Sequence, residues 1–249
     1  GRPGAVLFYA CRIGWHGLSR CSGKADLLQS RILFLKGHAV TATNASASIA
    51  APDAVLNFWF GSTRPSNADA LGNKRMWFAK SDELDTQIRQ QFEPAVQAAM
   101  AGGLADWEAD SWSALALIVL LDQFSRNIYR NTAKAFAGDA RALAVSHRMQ
   151  AQGQDQLLPA VLRVFVYLPM EHSEALAEQA RSVQAFTDLV ASAAGDEAVQ
   201  AYLRGSLDYA QRHQQVIAEF GRFPHRNAAL RRSSTPAEQA YLAQPGAGF

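Results

Sequence analysis

The sequence is short of cysteine, of long apolar runs and of charge of either sign in excess. Its only two cysteines, Cys11 and Cys21, both fall within the first fifty of 249 residues. Over the remaining two hundred this excludes a disulfide framework, a cysteine-ligated metal centre and a cysteine nucleophile, and it fits a reducing compartment. No apolar run approaches the roughly twenty residues that a membrane span needs. The longest candidate, Ala114 to Leu121, reads as a core helix segment, so a cytoplasmic protein is expected. Also missing are a phosphate-binding glycine loop and a serine in a nucleophile elbow.

The charge balance is uneven along the chain. Residues 1–50 hold six basic side chains against Asp26 alone, a net of +5, so a formal total of +2 leaves residues 51–249 at −3. A mildly acidic body is a poor electrostatic partner for nucleic acid, despite the basic run from Arg222 to Arg232.

Two parts of unequal character follow. Residues 1–50 show no sustained helical or strand period and end in the small-residue tract Ala39 to Ala51. They read as a nonglobular N-terminal extension, a leader or linker that is not necessarily native, with the natural protein expected to start at Val40. An organellar transit peptide is the other reading of an arginine-rich, acid-poor stretch. Residues 51–245 read as a single helical domain.

In that body the helix signals are dense. Pro52 opens a segment carrying Val55, Leu56, Trp59 and Phe60, which Gly61 stops. Ser62–Asn73 reads as a polar loop, followed by a short apolar segment from Met76 to Phe78. Ser81 or Asp82 caps a helix through Leu84, Ile88, Phe92 and Val96 to Gly102-Gly103, and Pro94 within it predicts a kink near Gln90. Asp110 or Ser111 caps the next, whose centre Ala114–Leu121 is apolar all round and therefore buried on every side. Further helices are expected from Asp139 to Gly153, from Pro159, from Ser173 to Gly195 and from Asp196 to Phe220. Thr235-Pro236-Ala237-Glu238 is a capping box with proline at the first helical position. No strand pair or hairpin dipeptide is present. The fold class is all-α, an irregular antiparallel helical array or α-α superhelix.

Polar residues interrupt the core pattern in three places. Around the buried helix, Leu117, Leu121, Phe124 and Ile128 keep the apolar stripe, while Asp122 and Arg126 stand four apart beside it, as do Gln123 and Asn127, with Arg130 a turn further. The second is Leu168-Pro-Met-Glu171-His172-Ser173-Glu174, and the third Phe220-Gly-Arg222-Phe223-Pro-His225-Arg226-Asn227. Each has a plain structural reading, as an intrahelical ion pair, a helix cap, or arginines set against helix C-terminal carbonyls. Each also combines a carboxylate or amide with Arg or His beside aromatics, and charges so placed must be paired or must serve a ligand.

Three functions compete. In a binding module for a peptide or a small anionic ligand, Asp122, Gln123, Arg126, Asn127, Arg130, Arg222, Arg226 and Asn227 line the site. The arginines grip carboxylate or phosphate, and Phe223 and Tyr129 form an apolar wall. In a hydrolase-type enzyme, Glu171, His172 and His225 do the acid–base work. In a structural or oligomerising protein, Trp59, Phe60, Trp77 and Phe78 form a partner surface. No cofactor is expected. A metal variant through Asp122, Glu171, His172 and His225 ranks lower, since neighbours such as Glu171 and His172 point differently and no HExxH spacing occurs.

The segments VLNFWFG (55–61), WFAKSDELD (77–85), LLDQFSRNIYRNTAKAFAGD (120–139), FVYLPMEHSE (165–174) and FGRFPHRN (220–227), with Ser234, Thr235, Ala237 and Glu238, carry a resemblance. The body resembles the bacterial domain-of-unknown-function family nine hundred twenty-four, over about residues 53–242. The resemblance implies a tetratricopeptide-like helical fold and assigns no catalytic residue.

Overall fold

The computed structural model describes residues 49–77 and 80–248. The expected extension at residues 1–50 and the aromatic Phe78 lie almost wholly outside them. All regular structure among the described residues is helical and none is strand.

Helix α1 (Pro52–Phe60) buries Val55, Leu56, Trp59 and Phe60 and ends where Gly61 turns to φ 82°, a conformation that suits a residue without Cβ. Helix α2 (Asn67–Trp77) occupies much of the stretch expected to be a polar loop. Its start is fixed reciprocally: Ser66 N–H donates to the Asp69 carboxylate at 2.9 Å and Asp69 N–H to the Ser66 hydroxyl at 3.2 Å. Only Ala70 and Trp77 of this helix are buried, so it carries little apolar period. Helix α3 (Asp82–Met100) is capped by Ser81, which accepts from Leu84 N–H, and continues through Pro94 without interruption.

The central helix has three parts. Asp110 caps α4 (Ser111–Ile118), a π-helical turn spans Val119–Phe124, and α5 (Ser125–Ile128) completes it. Every residue from Ala114 to Leu121 is fully buried, as the all-round apolar pattern requires. Helices α1, α3, the following α6 (Asp139–Ala151) and α7 (Ala160–Glu171) enclose it. α8 (Leu176–Ser192) begins three residues later than Ser173, and it packs on both α7 and α9 (Glu197–Phe220). The Thr235–Glu238 capping box starts α10 (Pro236–Leu242).

Trp59, Phe60 and Trp77 are 0%, 0% and 4% exposed, so they are core and not a partner surface. Edge-to-face contacts join Phe60 and Trp77 to Phe165 and Trp59 to Phe124, the geometry the ring quadrupoles favour. No described helix is long and apolar enough to cross a membrane.

Candidate functional site

The π-helical turn sets the site. A π turn admits an extra residue and often marks a functional position. Here it carries Asp122 and Gln123 at the interior end of the most buried helix. Gly138 makes room for it: a Cβ at that position would stand 2.3 Å from the Leu121 carbonyl oxygen. Because Gly138 lies so close, the first residue of α6, Asp139, comes within reach of the turn.

Asp122 has no exposed surface. One of its oxygens meets His172 Nδ1 at 2.7 Å and the other accepts from Gln123 Nε2 at 2.6 Å. Arg126 adds an ion pair at 3.2 Å and donates to the Asp122 backbone carbonyl at 2.7 Å. Burial pushes the Asp122 carboxyl up, but the Arg126 charge, His172 and the hydrogen bonds overrule it and hold the group well below the usual carboxylate range. His172 moves down, driven by burial and by Arg126 and Arg226 against the pull of Asp122. The consistent state is an ionised Asp122 accepting the Nδ1–H of a neutral imidazole, which leaves Nε2 as a base.

Arg126 also grips both oxygens of Asp139, at 2.9 and 3.1 Å. Arg226, on the 3-10 turn Pro224–Arg226, reaches one of those oxygens at only 3.4 Å. Its guanidinium lies between Phe136 and Phe223, at 4.8 and 4.4 Å from the ring centres. The residue is 6% exposed, and its Nε–H finds no acceptor among the described residues. Burial and the neighbouring Arg126 lower its pKa to about 10.

Glu171 closes α7 beneath His172. Its Oε1 is 3.1 Å from Nδ1 of His213 on α9, while its buried Oε2 has no hydrogen-bond partner among the described residues. Burial, then the Asp122 charge, raise Glu171 to about 8. His213 falls to about 3 through burial and nearby positive charge. At neutral pH the two are therefore an uncharged acid and an uncharged imidazole, not an ion pair. His213 also gives its Nδ1–H to the Tyr209 carbonyl at 2.9 Å.

The remaining sequence candidates separate from this cluster. Asn127 and Arg130 both turn to Asp85 on α3, Asn127 at 2.7 Å and Arg130 through two bonds of 2.8 Å. Arg222 makes two bonds to Glu238, at 2.6 and 2.9 Å. Asn227 bonds Ser234 and Arg232, and Arg232 in turn grips Glu174. Tyr129 bonds Glu93 and is capped by Lys134. His225 lies against Phe223, and burial with the Arg226 charge lowers it to about 4. Two surface hollows lie elsewhere, one lined by Glu219, Arg222 and Glu238, the other by residues 131–133 and 228–231.

Asp139 and His213 are the members that sequence reasoning missed. Asp139 reads locally as a helix start. His213 had a usable signal, because it sits in the buried stripe Ala210, Val216 and Ile217 of α9, where a histidine is out of pattern.

Fold and site together define an all-helical protein with a buried His–carboxylate–Arg cluster at the junction of its central helices. The chain belongs to the family of bacterial proteins of unknown function described as DUF924, whose model matches residues 55–246. It is similar to the solved structure of a protein of unknown function from Agrobacterium tumefaciens, with 34% identity over 77% of this chain and 96% of that one, at a TM-score of 0.64. Among curated proteins none matches the chain.

Proposed function

We propose that the chain is a cytoplasmic binding protein for a small anionic ligand, a phosphate or carboxylate taken up at Arg226 beside Arg126. The single observation that carries this is the state of Arg226. It is a buried cation flanked by two aromatic faces, its Nε–H has no acceptor among the described residues, and the Asp139 carboxylate it reaches at 3.4 Å is already gripped bidentately by Arg126. An oxyanion would supply the missing acceptor and the charge-assisted bond. A peptide offers the same chemistry through its terminal carboxylate. Asn127, Arg130, Arg222 and Asn227, each held by its own partner, fall outside this reading.

The test is thermal melting of the chain against inorganic phosphate, sulfate and mono- and dicarboxylates. A ligand that binds only the native state raises the melting temperature with its concentration. Arg226→Gln should abolish the rise. No rise with any anion, or an equal rise in the variant, would overturn the reading.

A second reading, an acid–base enzyme, is favoured by one arrangement: a neutral imidazole aligned by Asp122 beside a protonated Glu171. In that reading His225 is the weaker member, since it lies against Phe223. Turnover of any hydrolysable ester or phosphoester that is lost in His172→Asn would support it. Persistence of that turnover in the variant would refute it.

A further inference from the structure

We propose that Glu171, His172 and His213 form a binding site for a divalent transition metal, with zinc the best match to the ligand set. One donor atom from each of the three lies within 4.8 Å of the other two. Two imidazoles and a carboxylate are the set used by three-ligand zinc sites that keep a fourth position open. With zinc–nitrogen and zinc–oxygen bonds of about 2.0–2.2 Å, the donors need to draw in by roughly an ångström.

The surroundings of the histidines support this independently of their proximity. A ligating imidazole usually gives its other N–H to a carboxylate or a backbone carbonyl, which fixes the ring and raises its basicity. His172 directs Nδ1 to Asp122 at 2.7 Å, which leaves its Nε2 for a metal. Glu171 is 3% exposed, and its Oε2 lacks a hydrogen-bond partner among the described residues, a costly state that a metal would relieve.

The ligand set differs from the variant expected from sequence. Asp122 stands behind His172 as its orienting partner, and His213 takes the place given to His225. Glu171 and His172 do point differently, one to His213 and one to Asp122, yet α9 brings a third donor within 4.8 Å of both. The site is independent of the anion reading, because neither Arg126 nor Arg226 is a ligand.

The test uses the full chain, stripped with chelator and titrated with cobalt(II), then zinc(II). One equivalent of cobalt should bind, with the d–d absorption of a four- or five-coordinate nitrogen–oxygen site, and zinc should displace it. His213→Gln and Glu171→Gln should abolish the cobalt spectrum, and Asp122→Asn should weaken binding about ten- to a hundredfold. Arg226→Gln should bind cobalt unchanged while losing its anion response, which separates the two proposals. In case a variant fails to fold, histidine-labelled wild type provides a second readout: zinc should shift the imidazole resonances of two of the six histidines. Absence of cobalt binding, a folded His213→Gln that binds it as tightly as wild type, or unmoved imidazole resonances would overturn the proposal.

Discussion

His172 and Asp122 stand fifty residues apart in the chain and 2.7 Å apart in the fold. The end of α7 brings one and the π-helical turn of the central helix brings the other. Asp122 is fully buried and is shared by His172, Gln123 and Arg126. Asp122→Asn preserves shape but leaves Asp139 as the carboxylate that pairs with Arg126, and it alters the partner of His172. Breaking a buried, hydrogen-bonded charge of this kind costs about 3–5 kcal/mol. Denaturant unfolding should show a loss in that range, and a loss under about 1 kcal/mol would show the group to be less coupled than its contacts indicate.

Gly138 and Gly205 should respond oppositely to alanine. At Gly138 a Cβ meets the Leu121 carbonyl at 2.3 Å, so backbone must move and Asp139 must leave Arg126. A loss of about 2 kcal/mol or more is expected. At Gly205, inside α9, a Cβ meets nothing within 4 Å. There alanine should stabilise by about 0.5–1 kcal/mol through helix propensity. Melting of the two variants beside wild type decides both.

Glu171 sets a pH dependence in the metal-free protein. Its carboxyl rises from an ordinary 4.5 to about 8 on folding. Below pH 4.5 the acid is protonated in folded and unfolded chains alike, so its contribution to stability is intact. Between 4.5 and 8 the unfolded chain ionises while the folded one resists, and stability falls as pH rises, by up to about 1.4 kcal/mol per pH unit. Glu171→Gln should remove this slope. Unfolding free energies measured from pH 5 to 8 in the presence of chelator should therefore diverge between the two proteins, and parallel curves would contradict the assignment.

Arg130 and Arg222 should matter for stability and not for anions. Each is gripped bidentately by one carboxylate, Asp85 or Glu238. Their replacement by alanine should leave the anion-induced melting shift unchanged.

Much of this was legible beforehand, and the exceptions have identifiable causes. Ala114–Leu121 reads as an all-round apolar segment and is buried as such, and the Thr235–Glu238 box caps the helix it announces. Helix α2 was obscured because it buries only Ala70 and Trp77, although Ser66 and Asp69 hold the spacing of a reciprocal cap. The π turn leaves no mark, since Leu117, Leu121, Phe124 and Ile128 keep an ordinary helical spacing through it. Within the site, Asp122 and Arg126 were readable as neighbours one turn apart. The division of the arginines was not, because Asp85, Asp139 and Glu238 lie on other helices than the arginines they meet, and only packing decides which carboxylate each arginine takes.

The most direct test of the central claim is the unfolding free energy of Arg226→Met, which keeps the apolar stem between Phe136 and Phe223 and removes the charge. Asp139 retains Arg126 in this variant. If Arg226 is held ready for a ligand, stability should stay within about 0.5 kcal/mol of wild type or increase. A loss of about 3–5 kcal/mol would show that Arg226 serves the fold, and would contradict the anion site.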